Sequence, residues 1–212
     1  MQRGNLVLIE NLQLSNLFIA PLPITDMKLQ EVIEKRRSIR KFKDKRVKIS
    51  DIYEAIDAAL HAPRAGNIEN LYIIIVTKQE IKSRLSQYAD QDWMADADIV
   101  LVVCSDNRPL ERMYHDRAEK YARHQAGAAI QNILLELEEL KLSGCWIGAF
   151  LDTGVKKTLK IPEHINVEAL IPIGYPAEKP KAPKTASLEN TTFWEEWNQR
   201  KKPALTKDPA TR

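Results

Sequence analysis

The first helical periodicity along the chain begins at Met27, where Leu29, Val32 and Ile33 fall three and four positions apart and mark one inward face. Thr25 or Asp26 suits the N-cap. A second helix is expected from Ser50 to His61. Ser50 caps it, Ile52, Ala55, Ile56, Ala59 and Leu60 form its apolar stripe, and Pro63 stops it. Three short runs then depart from the helical period: LYIIIVT (71–77), DIVLVVCS (98–105) and ALIPIGYP (169–176). Each reads as a strand that is apolar on both faces. KQEIKSRLSQYA (78–89) is a helix with a charged face, whereas 106–115 is polar and reads as an exposed stretch. The longest helix is expected from Asp116 to Leu142. Ala126, Ala129, Ile130, Ile133, Leu134, Leu137 and Leu140 recur at helical spacing along it, and Gly144 lies just past its end. CWIGAF (145–150) is a short strand or turn, and VKKTLKI (155–161) one or two helical turns. Together these elements predict a central sheet of mixed strand directions covered by helices.

Composition narrows the class. With 212 residues, 44% of them hydrophobic, the chain is long enough to bury one substantial core. No apolar run approaches the roughly 18 residues of a membrane span. Residues 1–26 carry apolar pieces broken by Asn, Glu and Gln, without the basic start and continuous apolar middle of a signal peptide. Pro21 and Pro23 set this arm apart, so it is expected as an N-terminal extension, loose or docked on a partner subunit. The domain proper then covers 27–197, and 198–212 is a C-terminal tail. Cys104 and Cys145 are the only cysteines, which fits a reducing, cytoplasmic setting and gives no metal-ligand spacing. His61, His115, His124 and His164 show neither metal nor nucleophile spacing, so no catalytic triad and no metal site are expected.

Charge changes the picture more. The net charge is +3, yet KRRSIRKFKDKRVK (35–48) alone carries nine basic residues and one acid, a local +8 that leaves the remainder at −5. The positive charge is concentrated in one place, which is not the pattern of a general polyanion binder. If the stripe of the first helix continues, Arg36, Arg37 and Arg40 begin where its buried face ends. A guanidinium at the margin of a core calls for an anion. Phosphate suits it, because the planar fork bonds two oxygens at once, and Ser38 adds a hydroxyl donor. A plainer reading is also open: basic side chains in a last helical turn are stabilised by the helix dipole by about 0.3–1 kcal/mol each. A nucleic-acid interface is disfavoured by the lack of a recognisable helix-turn-helix, zinc or RNA-binding signature and by sparse aromatics near the cluster.

RRSIRKF, APRAGN, GAAIQNILLELEELKLSGCWIGAF and IGYPAEKP occur in this order, and the pattern resembles the nitroreductase family of FMN-dependent oxidoreductases over about residues 27–197. The resemblance implies an α+β fold, a mixed sheet flanked by helices, in a domain-intertwined homodimer with FMN at the interface. It implies that Arg36, Arg37, Ser38 and Arg40 grip the phosphate and ribityl chain. In the loop APRAGNIEN, Asn67 would bond the flavin edge, with Arg64, Ala65 and Gly66 alongside. Arg64 stands where the family usually has a small serine, and Glu69, Asn70 and Leu71 replace Gln, Pro and Trp. Backbone N–H groups around Ile147 and Gly148 would lie near the reactive flavin nitrogen, and glycine permits that approach. Trp146 and Phe150 read as core. Lys184 is the nearest match to the family's C-terminal phosphate ligand, and Gln125 stands where an acidic residue often begins the long helix.

Such an enzyme takes reducing equivalents from NAD(P)H and passes them, in a ping-pong cycle, to a nitroaromatic, quinone or similar small acceptor. The cofactor supplies the chemistry and the protein positions it. No GxGxxG occurs, so the nicotinamide would bind transiently over the flavin instead of in a Rossmann site. A related branch remains open, either flavin fragmentation or a dehalogenating one with Glu111, Tyr114 and Lys120 in the lid region. A non-enzymatic, redox-sensing flavin binder also remains open.

Overall fold

β2 (Ile99–Asp106) is buried along its whole length, and its side chains divide the molecule. Ile99, Leu101 and Val103 enter one core, while Val100, Val102 and Cys104 enter a second on the opposite face of the sheet. This is the period-two alternation of a strand covered twice. The computed structural model describes residues 28–203. The expected cap at Thr25 or Asp26 and the 1–26 arm lie outside the described residues.

Four strands form one sheet in the order β1-β2-β4-β3. They are β1 (Leu71–Val76), β2, β3 (Ser143–Gly144) and β4 (Ile165–Gly174). All three pairings are antiparallel. Of the mixed directions expected, the parallel contact among the described residues is a single bridge, Ser38 to Gly144. Apolar composition reports burial on two faces, not strand direction. β4 also starts earlier than its apolar run: the register slips between Val103 and Cys104, passing over Glu168, and Glu168 accepts a hydrogen bond from Ser105 Oγ at 2.5 Å. That bulge lets Val167 join one core while Ala169 joins the other.

The first core lies between the sheet and the helices α2 (Ile49–Leu60) and α5 (Ala118–Glu139). Ile52, Ala55 and Ala59 of α2 meet Ala129, Ile130, Ile133 and Leu137 of α5 there. The second core lies under α3 (Gln79–Ala89) and α6 (Asp152–Leu159). α1 (Leu29–Lys35) buries Val32 alone; Leu29 and Ile33, expected to face inward, are exposed. A helix of seven residues resting on α5 buries only this one side chain. α2 begins at Ile49, and Ser50, expected to cap it, sits inside its first turn and bonds Asp51. The stretch 106–115 is not an open loop, because α4 (Arg108–Tyr114) forms there and buries Leu110 against Ala118 and Ala122. A four-residue α7 (Leu188–Thr191) lies in the exposed C-terminal segment. Among the described residues no helix is long and apolar enough to cross a membrane.

Candidate functional site

RRSIRKF leaves α1 and is fixed by main-chain bonds on both sides. Ile39 N–H donates to Gly144 O at 3.2 Å, Lys43 N–H to Tyr175 O at 2.9 Å, and Ala177 N–H to Lys41 O at 2.9 Å. Phe42 pairs with Pro176 and packs on Gly174, where an added Cβ would stand 2.9 Å from the Phe42 ring. Ile39 is the buried anchor of the segment. Three motifs that are far apart in sequence thus meet: the arginine run, the CWIGAF segment and the GYP turn.

Within this junction the arginines differ. Arg36 and Arg37 are half-buried and Arg40 is exposed. Arg37 Nη1 donates to Glu34 O at 2.6 Å and to Arg36 O at 2.7 Å, closing the carbonyl end of α1. Its guanidinium does in part what the plainer reading of the run expected. The Arg40 guanidinium stands 6.0 Å from the Trp93 ring, and the Arg40 main-chain N–H donates to Glu178 Oε1 at 2.6 Å. Ser38 is half-buried and reaches Cys145 with its side chain. Burial pushes the Cys145 thiol up, against the pull of Arg40, Ser38 and Arg36. Burial likewise raises the Glu138 carboxyl near this end of α5, although Lys35, Arg37 and Arg36 oppose it.

Downstream, Ile147 exchanges two main-chain bonds with Leu170, at 2.9 and 3.0 Å, so the CWIGAF segment runs on along β4. Gly148 is exposed, and the nearest atom to a Cβ placed there is Trp146 Nε1 at 4.0 Å. Gly148 opens on a polar cleft of about 450 Å³ walled in part by Asn107, Glu111, Arg123 and Glu168. Trp146, expected in the core, is 42% exposed beside this opening. Phe150 packs partly on the second core as expected.

The APRAGN loop lies elsewhere, at the first half of α5. Gly66 and Asn67 both adopt left-handed backbone, with φ of 57° and 55°. A Cβ on Gly66 would meet the Tyr114 hydroxyl at 2.7 Å, so glycine is needed for conformation and for space. Arg64 pairs with Glu69 across the loop. The loop is gripped from below by Gln125, which is 3% exposed. Gln125 Oε1 accepts from Ala65 N–H at 2.9 Å, and Nε2 donates to Asn70 Oδ1 at 2.7 Å and to Ile68 O at 3.3 Å. The signal for this anchor in the sequence is only a polar residue interrupting a small-residue stripe: Ala122, Gln125, Ala126 and Ala129 share one face.

The expected site residues therefore form two groups. Arg36, Ser38 and Arg40 lie near Gly144 and Cys145, whereas Arg64, Ala65 and Asn67 gather over Gln125; Ile147 and Gly148 continue from Gly144 along β4, and Gly148 shares its cleft with Glu119 and Arg123 of α5. Lys184 lies in the exposed segment after β4. Gly144 contacts Leu137 and faces the C-terminal end of α5. Glu138 and Gln125 are thirteen residues apart on that helix, roughly 20 Å along its axis. Among the described residues no group of three or more His, Cys, Asp or Glu is placed to hold a metal ion.

The donor set fits a phosphorylated, planar ligand. Guanidinium groups and a hydroxyl stand on the 36–42 segment, and open backbone at Gly148 lies further along the segment that Gly144 begins. A relative in Methanothermobacter thermautotrophicus, provisionally named an NADH dehydrogenase/NAD(P)H nitroreductase, is 32% identical over 162 residues, 74% of this chain and 82% of its own. The FMN reductase [NAD(P)H] of Bacillus subtilis is 27% identical, over 78% of this chain and 75% of its own. The solved FMN-dependent nitroreductase of Clostridium difficile R20291 superposes with a TM-score of 0.68 at 26% identity, over 78% of this chain and 98% of its own. The model of the nitroreductase family matches residues 33–91 and 85–175, and the chain belongs to that family.

Proposed function

We propose that the chain is an FMN-dependent oxidoreductase that takes reducing equivalents from NAD(P)H and delivers them to a small acceptor such as a nitroaromatic or a quinone. The observation that carries this reading is the junction at Gly144. Main-chain bonding from Ser38 and Ile39 sets the arginine run beside the segment that exposes Gly148. Arg36 and Arg40, with Ser38, would hold the phosphate through charge-assisted hydrogen bonds. The backbone N–H groups near Ile147 and Gly148 would face the ring edge. When bound, the flavin accepts a hydride and returns electrons. The chain's task is to orient it and leave one face open to a polar cleft. Donor and acceptor would use that cleft in turn, since no second nucleotide motif is present, and this is the basis for a ping-pong order.

The second half of the site supports a homodimer. Gln125, which anchors the Asn67 loop, stands roughly 20 Å along α5 from Glu138 at the arginine end, so the phosphate-side ligands and Asn67 of a single chain lie far apart. A second copy would bring its own 64–70 loop to the first copy's Gly148. An apolar cleft of about 360 Å³ between α2, β1 and α5, floored by Ile73, Ile75 and Ile133, fits the same arrangement. It leaves Tyr53, Leu60 and Tyr72 about half exposed, a face suited to burial against a partner subunit.

The test begins with the absorbance spectrum of the purified protein. A flavin spectrum that bleaches anaerobically with NADH or NADPH, and recovers with a quinone or nitroaromatic, is the expected outcome. A protein that neither retains nor binds FMN would overturn the proposal. One that binds FMN without being reduced would be a passive carrier.

A further inference from the structure

Every polar atom of the Gln125 amide that faces the 64–70 loop is used, and each bond falls on a different residue. The acceptor takes Ala65 N–H, and the donor serves Ile68 O and Asn70 Oδ1. The bonds straddle Gly66 and Asn67, the two consecutive residues in left-handed backbone. Asn70 is fully buried, and its Nδ2 is without a hydrogen-bond partner. The loop's exit is tied separately, where Asp106 N–H donates to Asn70 O at 2.8 Å.

We propose that Gln125 is a positioning residue for flavin binding: by holding Ala65, Ile68 and Asn70 at once it imposes the left-handed pair that presents Asn67 to the flavin edge. This rests on the reading of Asn67 given above. The chemistry selects an amide. One oxygen must accept and one nitrogen must donate twice, within a site that excludes water. A leucine of similar size supplies neither, and leaves Ala65 N–H and Ile68 O unpaired. An ionised glutamate keeps the acceptor for Ala65 N–H. It can also take a bond from Asn70 Nδ2 if that amide turns over, which meets the group now lacking a partner. The glutamate fails Ile68 O, and the turned Asn70 Oδ1 is left without a donor.

The experiment is FMN titration of apoprotein, by quenching of flavin fluorescence, for Gln125→Leu, Gln125→Glu, Asn67→Ala and Gln125→Leu/Asn67→Ala. Gln125→Leu is expected to weaken FMN about tenfold or more, the scale of one lost hydrogen-bonding contact. Gln125→Glu, which keeps the acceptor for Ala65 N–H, should recover part of that loss. The double variant should bind no more weakly than Asn67→Ala alone, because Gln125 acts through Asn67. Multiplying losses in the double variant, or no recovery with glutamate, would overturn the role of Gln125 while leaving the Asn67 contact standing. Unchanged affinity in Asn67→Ala would instead remove the contact on which the proposal depends. If Gln125→Leu does not fold, Gln125→Ala and its double variant with Asn67→Ala take its place on the same two criteria.

Discussion

The two halves of the site are held by different means. The arginine run is bonded through its main chain to Gly144, Tyr175 and Ala177, and its far end is clipped where Asp98 Oδ2 accepts from Val47 N–H at 2.7 Å. Any residue supplies a backbone C=O, and all but proline an N–H, so this half is positioned almost regardless of its side chains, and those are free for a ligand. The 64–70 loop is held by one buried side-chain amide and by backbone that favours glycine. Substitutions in the first half should therefore change ligand contacts with little change in shape, whereas those in the second should change shape first.

The largest expected effect breaks the comparison from the arginine side. Arg36→Ala with Arg40→Ala removes charge-assisted contacts worth about 1.5–3 kcal/mol each, roughly a hundredfold or more in FMN affinity. Unfolding by denaturant should be nearly unchanged, because Ile39 and the main-chain bonds remain. Retention of stoichiometric FMN would place the anion elsewhere.

Gly66→Ala tests the loop side. Left-handed backbone costs an alanine about 1–2 kcal/mol, and the Tyr114 hydroxyl must also give way. Here stability and FMN affinity should fall together, read by unfolding and titration on the same samples. A loss of affinity alone would mean that the loop's shape was not the sensitive quantity.

Arg37→Ala should be milder. Two hydrogen bonds to the α1 carbonyl end go, about 0.5–1.5 kcal/mol of stability, with FMN affinity changed by about threefold or less. An effect as large as that of Arg36 would show that its guanidinium turns to the ligand.

The smallest effect is confined to acid. Arg108 donates to both oxygens of Asp106 and, with its side chain as the chief cause, holds that carboxyl down at about 2. The folded state then binds fewer protons than the unfolded chain, whose Asp titrates near its ordinary value of 3.8. The stabilisation is therefore present above about pH 4 and lost as pH falls toward 2. Asp106→Asn should be less stable than the parent at about pH 6, and the gap should close over that window. Since Asp106 N–H also bonds Asn70 O, the loss should appear in hydrogen exchange at the loop exit and leave Ile39 unaffected.

The elements that carry strong periodicity are legible in the sequence. α2, α3, α5 and the cores of β1, β2 and β4 fall where the apolar spacing puts them, because each buries a face whose pattern is local. The failures share one cause. Leu29 and Ile33 read as inward but are exposed, Trp146 reads as core but stands open, and 106–115 reads as polar but forms α4 and buries Leu110 against α5. In each case burial is set by whether another element happens to cover that face. The basic character of the site is equally plain in the run from Lys35 to Lys48, but not that Arg37 turns back onto its own helix.

By itself, the sequence determined that there would be a doubly covered sheet, a long helix of small residues against it, and one concentrated cationic segment. These follow from side-chain chemistry and spacing within short windows. Only the tertiary structure decided that the strands run antiparallel, that the arginine run is bonded to Gly144, and that Gln125 holds the distant loop. Those outcomes depend on hydrogen bonds between residues tens of positions apart, where main-chain donors and acceptors look alike in every sequence and only the packed fold selects their partners.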